Sequence, residues 1–98
     1  MTLEELYAIL ENKIYYEKDS MRKFTFVDHS IHIDRRAYIP FNIYKQNENF
    51  FLDPDIPIAE EKELRIEIEN ISAESISLYG KNSGEKLLTL ECWVMKWT

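Results

Sequence analysis

Short connections between segments of alternating polar and apolar residues constrain the fold of this chain most strongly. In residues 37–45, one face of the predicted strand carries only apolar side chains: Ala37, Ile39, Phe41 and Ile43. This period of two is typical of a strand with one buried face. Similar patterns predict strands at residues 14–17, 23–27, 29–34, 37–45, 50–52, 63–69, 75–79 and 85–94. The connections between them are too short for the helical crossover that parallel strands need, so the pattern predicts an antiparallel meander of seven or eight strands.

A short helix is predicted before the strands, at residues 2–12. Thr2 and Glu5 have the spacing of a capping box, and Leu6 and Leu10 fall on one apolar face. A meander of this length usually closes to hide its edges. Pro40 has no N–H to donate, so the strand at 37–45 is predicted to be an edge strand or to carry a bulge. The expected fold is mostly β, a small antiparallel barrel, closed or half-open, with the helix at one end and a single domain spanning residues 1–98.

Three segments resemble the lipocalin-like group of small calycin barrels. They are residues 24–26 (FTF), residues 39–44 (IPFNIY) and residues 64–78 (LRIEIENISAESISL), in which a strand, a short turn and a closing hairpin follow in the order found in that group. Residues 13–16 (KIYY) lack the Gly-x-Trp with which the group usually opens. The resemblance implies a carrier or sensor of a small apolar ligand. Its ligand cavity would be lined by Phe24, Phe26, Ile39, Phe41 and Leu90.

The net charge of −6 opposes binding to nucleic acid or to an anionic membrane. Residues 53–74 hold eight acidic and two basic side chains, an excess that equals the whole net charge. This segment predicts an acidic face formed by Asp53, Asp55, Glu60, Glu61, Glu63, Glu67 and Glu69. Such a face either protects an edge strand by charge or docks on a basic protein.

Aromatic residues also occur at positions that the alternation assigns to the outside of the sheet. They are Tyr38, Tyr44, Trp93 and Trp97. Outward aromatic side chains are frequent anchors of protein interfaces, so they predict either a partner-binding surface or a homodimer contact. The other interpretation is that both faces of the sheet are partly covered.

Few residues suggest chemistry. Asp28, His32 and Asp34 have one strand parity and could form a histidine–carboxylate pair, with His29 nearby, but an exposed polar face is the preferred interpretation. Asp53 and Asp55 could contact calcium, although ordinary turn chemistry accounts for them better. Cys92, the single cysteine, shares the parity of the predicted core face and is interpreted as a buried, inert thiol. We therefore expect no enzymatic activity, no metal and no cofactor.

The N-terminal residues are acidic where a signal peptide is basic, and no apolar run approaches the ~18 residues of a membrane span. A cytoplasmic location is the expectation, although a secreted protein without its leader would have the same features. The first functional hypothesis is a non-catalytic protein that docks on a basic protein, as an inhibitor, immunity or anti-defence protein. The alternative is the carrier or sensor of a small apolar ligand.

Overall fold

The last strand returns to the first and closes the sheet. The computed structural model describes residues 1–69 and 74–95, the final three as backbone only. Its elements are α1 (Leu3–Glu11), β1 (Lys13–Glu17), β2 (Lys23–Val27), β3 (Ser30–Ile33), β4 (Ala37–Gln46), β5 (Asn49–Pro54), β6 (Leu64–Ile68), β7 (Ser75–Gly80) and β8 (Lys86–Met95). Each strand pairs antiparallel with its neighbour, and β8 pairs with β1. The prediction of a mostly β chain with an N-terminal helix and an antiparallel barrel is confirmed. The topology is consistent with a lipocalin-like barrel.

The helix α1 begins at the predicted capping box. The Thr2 N–H donates to Glu5 Oε1 at 2.8 Å, and the Glu5 N–H donates to Thr2 Oγ1 at 3.1 Å. The hydrogen bond with the Thr2 backbone is the main reason that the pKa of Glu5 is lowered. Leu6 and Leu10 are buried in the core of the barrel. The apolar face of a short helix therefore supplies part of the barrel interior.

Tyr7 joins α1 to the sheet. Strand β4 is longer than its neighbour β3. On the side of β4 that faces β3, the last backbone hydrogen bond runs from the Phe41 N–H to His29 O at 2.9 Å. The next N–H facing that side belongs to Ile43, because alternate residues of a strand point the same way. It donates to the Tyr7 hydroxyl at 2.8 Å. The helix thus supplies the acceptor that β3 is too short to provide.

Two of the hairpins use two-residue turns with positive φ. Asp28 and His29 have φ of 48° and 61°, and Asn47 and Glu48 have φ of 50° and 68°. This is the backbone of a type I′ turn, whose twist matches that of the paired strands. The predicted turn at 46–49 is confirmed. His29, predicted to begin a strand, lies in a turn instead. The predicted turn at 70–74 falls largely outside the described residues.

The prediction that the strand containing Pro40 lies at an edge or carries a bulge is wrong. Strand β4 pairs with β3 and β5, and the barrel described by β1 to β8 leaves no strand at an edge. The Pro40 carbonyl accepts from the Asp55 N–H at 2.9 Å, one residue after β5 ends. The N–H that Pro40 lacks would also point toward β5. The missing donor therefore lies where the pairing of β4 with β5 ends. The register shifts lie elsewhere, at Ile14/Tyr15 and at Leu78/Tyr79.

The inner faces of the strands form one hydrophobic core, and all strands from β1 to β8 contribute to it. Aromatic rings meet within it, where Phe26 packs edge-on against Tyr15 and Phe41 with centroid distances of 6.0 and 5.6 Å. The burial of Tyr15 raises the pKa of its hydroxyl, with a smaller contribution from Cys92. Among the described residues, no helix combines the length and the apolar composition needed to cross a membrane.

Candidate binding cleft at the open end of the barrel

The two ends of the barrel are closed differently. The α1 end holds Leu6, Leu10 and the Asp28–His29 turn, whose His29 ring packs against Tyr7 at 4.4 Å. The opposite end, here called the open end, holds the β1–β2 turn, the β3–β4 turn and the β5–β6 loop of residues 55–63. Within that loop, Ile58 and Ala59 pack on the core. The loop therefore covers part of the open end and leaves part of it accessible.

A cleft of about 350 Å³ lies at the open end, between the β5–β6 loop and the start of β4. Its apolar lining is formed by Ile33, Ala37, Ile39, Pro57 and Ile58, and its polar lining by Arg22, Asp34 and Arg36. It is larger than two other clefts of about 40 and 220 Å³. An apolar lining with a few polar groups at the rim is the usual composition of a small-molecule site.

The polar side chains at the rim differ in whether they already have a hydrogen-bond or ion-pair partner. Arg22 donates from Nε to Glu17 Oε1 at 2.7 Å, and its guanidinium lies 5.3 Å from the centre of the Phe24 ring. An oxygen of Asp34 accepts the Lys23 N–H at 3.0 Å. Within the described part of the chain, Arg36 is exposed and its guanidinium has no hydrogen bond or ion pair. Arg36 is thus the cation at the rim that remains available.

The interior cavity implied by the lipocalin-like resemblance is not open at the side chains that were expected to line it. Phe24 and Leu90 are 0% exposed, and Phe26, Phe41 and Ile39 are 3%, 5% and 6% exposed. A ligand or a water molecule beside the three phenylalanines or Leu90 would need accessible surface that these side chains do not have. They fill the interior with one another, as is expected for a small eight-stranded barrel. Only Ile39 also lines the cleft at the open end.

Several carboxylates of the predicted acidic face have partners on the barrel. Asp53 pairs with Lys62, and Glu67 pairs with Arg65. The hydrogen bond to Asp53 is the main reason that the pKa of Lys62 is raised. Glu61 accepts the N–H groups of Asn82 and Ser83 at 2.8 and 3.1 Å. Hydrogen bonds, above all that of the Ser83 side chain, lower the pKa of Glu61.

Glu63 belongs to a cluster on the outer face of β4 and β5. The Tyr44 hydroxyl donates to Glu63, and Lys81 donates to that hydroxyl at 2.8 Å. Partial burial, followed by the bond to Glu63, raises the pKa of Tyr44, and the bond to Tyr44 raises the pKa of Lys81. The Tyr44 ring stacks on Phe51 at 5.3 Å, and Phe51 is only 8% exposed. This cluster covers an outward phenylalanine, so Tyr44 serves the stability of the barrel.

The remaining predicted interface residues differ in accessibility. Asp55, Glu60 and Glu69 are exposed and have no ion pair within the described residues. Tyr38 is 63% exposed, and its ring lies 4.2 Å from the His32 ring. The side chain of Trp93 and all of Trp97 fall outside the described residues, so the dimer contact predicted there stays a prediction.

The residues considered for catalysis or metal binding are separated by the fold. Asp28 and Asp34 lie beyond opposite ends of β3, so the fold does not bring both carboxylates to His32 in the cluster that strand parity made conceivable. The His32 ring packs under Tyr38, and its Nε2 is buried without a hydrogen bond to the described residues. Cys92 is half-buried and packs against the core. The described residues contain no cluster of three or more His, Cys, Asp and Glu able to hold a metal ion.

Comparison with known proteins gave no match: no family model fits the chain, and no curated protein or solved structure is significantly similar to it. The fold and the site define the class as a small closed antiparallel barrel, with a helix packed at one end and a cleft of about 350 Å³ at the other.

The cleft was missed by sequence reasoning, because it is formed by a loop rather than by a strand face. The signal was present in the segment at 56–59 (IPIA), which places apolar residues in a loop otherwise rich in acidic ones. Apolar residues in a long loop often mark a segment that packs back on its domain.

Proposed function

We propose that the protein binds a small apolar molecule in the open-end cleft, as a carrier or sensor. The observation that supports this function best is the cleft itself, whose volume of about 350 Å³ falls within the ~300–1,000 Å³ of small-molecule pockets. The lipocalin-like resemblance favours the same function. The filled interior argues that the ligand lies at the mouth of the barrel, against Ile33, Ile39 and Ile58, and does not enter its centre.

A pair of neighbouring substitutions on β4 tests the proposal. Ala37 lines the cleft, whereas Tyr38 is exposed on the outer face of the same strand. Decan-1-ol, a neutral apolar probe, is titrated into the wild-type protein, the Ala37→Trp variant and the Tyr38→Trp variant by isothermal calorimetry. We expect binding to the wild type and to Tyr38→Trp, and its loss in Ala37→Trp, because the indole fills the cleft. Equal heats for the two variants, or no binding to the wild type, would contradict the proposal.

Native mass spectrometry of protein purified gently from cells provides a second readout. A carrier is expected to retain a small apolar molecule, visible as a constant mass increment on the folded chain. The same spectrum reports the number of subunits, and therefore tests the homodimer contact predicted from the C-terminal aromatic residues.

A second candidate function is docking on a basic protein, as an inhibitor, immunity or anti-defence protein. It is favoured by the exposure of Asp55, Glu60 and Glu69, which have no ion pair within the described part of the chain. The exposed Tyr38 would be its aromatic anchor. The local ion pairs of Asp53, Glu63 and Glu67 weaken this candidate, because the charges of these carboxylates are already partly neutralised.

Charge reversal distinguishes the two functions. For a docking protein, the double change of Glu67→Lys and Glu69→Lys should abolish capture of a basic partner without lowering stability. A control with equal charge change at exposed sites outside residues 53–74, Asp19→Lys with Glu48→Lys, should keep that capture. If the two double variants behave alike, the acidic face has no specific role. Binding of an apolar probe should be unaffected by either double variant.

A further inference from the structure

The rim of the open-end cleft carries one cation that has no partner among the residues described by the structure. Arg36 is the last residue before β4, and its backbone N–H donates to Ile33 O at 3.2 Å, which fixes the turn. Its guanidinium is exposed and makes no hydrogen bond or ion pair with the residues that the structure describes. An arginine anchored through its backbone beside an apolar surface presents its fork of N–H donors to whatever occupies that surface.

The other charged groups that line the cleft already have hydrogen-bond partners. Arg22 is paired with Glu17 across the β1–β2 turn. Asp34 exchanges two hydrogen bonds with Lys23, because its N–H donates to Lys23 O at 2.8 Å and its carboxylate accepts the Lys23 N–H at 3.0 Å. An incoming anion would therefore meet the free cation of Arg36 while the nearest carboxylate is held toward β2. Asp34 keeps its negative charge and a second carboxylate oxygen, so an incoming cation would instead be drawn to the Asp34 side of the cleft.

We infer that the ligand of the cleft is a small apolar carboxylate, with its carboxylate on Arg36 and its hydrocarbon chain along Ile33, Ile39 and Ile58. This inference rests on the proposed function, and it adds the chemical class of the ligand and the residue that selects it. Guanidinium and carboxylate form two parallel hydrogen bonds, which favours a carboxylate over an alcohol of the same length. The apolar lining supplies the part of the affinity that comes from the hydrocarbon chain and does not depend on the headgroup.

Three probes with the same ten-carbon chain test the inference: decanoate, decan-1-ol and decylamine, each titrated by calorimetry at low salt. Decanoate is expected to bind at least about threefold more tightly than decan-1-ol, as a partly exposed ion pair allows. In Arg36→Gln the two dissociation constants should become equal, whereas Arg35→Gln should keep the preference. Arg35 belongs to the same turn and is exposed, but it is not among the residues that line the cleft.

The outcomes separate the inference from the proposed function. Equal binding of decanoate and decan-1-ol to the wild type, or an equal loss of preference in both arginine variants, overturns the role of Arg36 and leaves an apolar site in place. Tighter binding of decylamine overturns the inference and assigns the anchor to Asp34. Failure of all three probes to bind rejects the proposed function, and the inference with it. A preference for decanoate that disappears only in Arg36→Gln, and that weakens as salt is raised, supports both.

Discussion

Replacing Tyr7 by phenylalanine tests how the helix is attached to the barrel. The change removes one hydroxyl and leaves the ring contacts with His29 and Phe41, at 4.4 and 5.7 Å, in place. The Ile43 N–H, which donates to that hydroxyl at 2.8 Å, then has no acceptor, and Ile43 is only 3% exposed. Leaving a buried N–H unpaired costs about 1–3 kcal/mol of unfolding free energy. For a domain of this size, that corresponds to a fall in Tm of at least about 4 °C.

Urea unfolding and amide hydrogen exchange provide the assay. The Tyr7→Phe variant should lose unfolding free energy, and the Ile43 amide should lose protection while that of Phe41, bonded to His29 O, keeps it. Tyr38→Phe is the matched control, because it removes the same atom from a ring that is 63% exposed. Its effect should stay within about 0.5 kcal/mol. If the two variants have equal stability, or if Ile43 exchanges as in the wild type, the hydroxyl does not hold the helix on β4.

Three further predictions concern the turns and the core. Glu61→Gln should destabilise the protein above pH 4.5, the ordinary pKa of this carboxyl, because folding lowers that pKa and so favours the ionised form. In urea unfolding, the difference in stability between the variant and the wild type should vanish as pH falls through the lowered folded-state pKa, where the carboxyl becomes protonated in the folded state too. A β-carbon at Gly80 would meet the Glu61 carboxylate, so Gly80→Ala should be destabilising and clearly less so in a Glu61→Ala background; additive effects in that double-mutant cycle would refute the contact. Phe41→Ala, at a side chain 5% exposed, should cost about 3–5 kcal/mol in urea unfolding and, where the variant stays folded, enlarge a cavity in the interior; a cost below about 1 kcal/mol would show that the ring is not part of the core.

Local sequence patterns were sufficient to predict most of the barrel. The capping box at Thr2 and Glu5 places the start of α1 because it satisfies specific N–H groups within one turn of chain. The period of two in residues 37–45 orients β4 because a slip by one residue would expose its whole apolar face. Such features depend on neighbouring residues alone, so a single sequence contains them.

Features that depend on distant pairings were not predictable in the same way. Pro40 predicts an edge strand or a bulge, but whether the proline is tolerated depends on where β5 stops, which is a property of two strands together. The acidic excess at residues 53–74 predicts one acidic face, although Lys62, Arg65 and Lys81 pair with carboxylates of that segment. The cleft depends on the β5–β6 loop folding over the mouth of the barrel. Each of these is set by tertiary contacts between segments that are separate in sequence.

The most direct test of ligand binding at the open end is a ¹H–¹⁵N correlation spectrum recorded during a titration with decanoate. Binding in the cleft predicts that amide shifts change saturably at Ile33, Ala37, Ile39 and Ile58, while the amides of Leu6 and Leu10 in α1 stay unchanged. A spectrum that remains constant throughout the titration, or one whose changes concentrate at the α1 end, would contradict a ligand site at the open end.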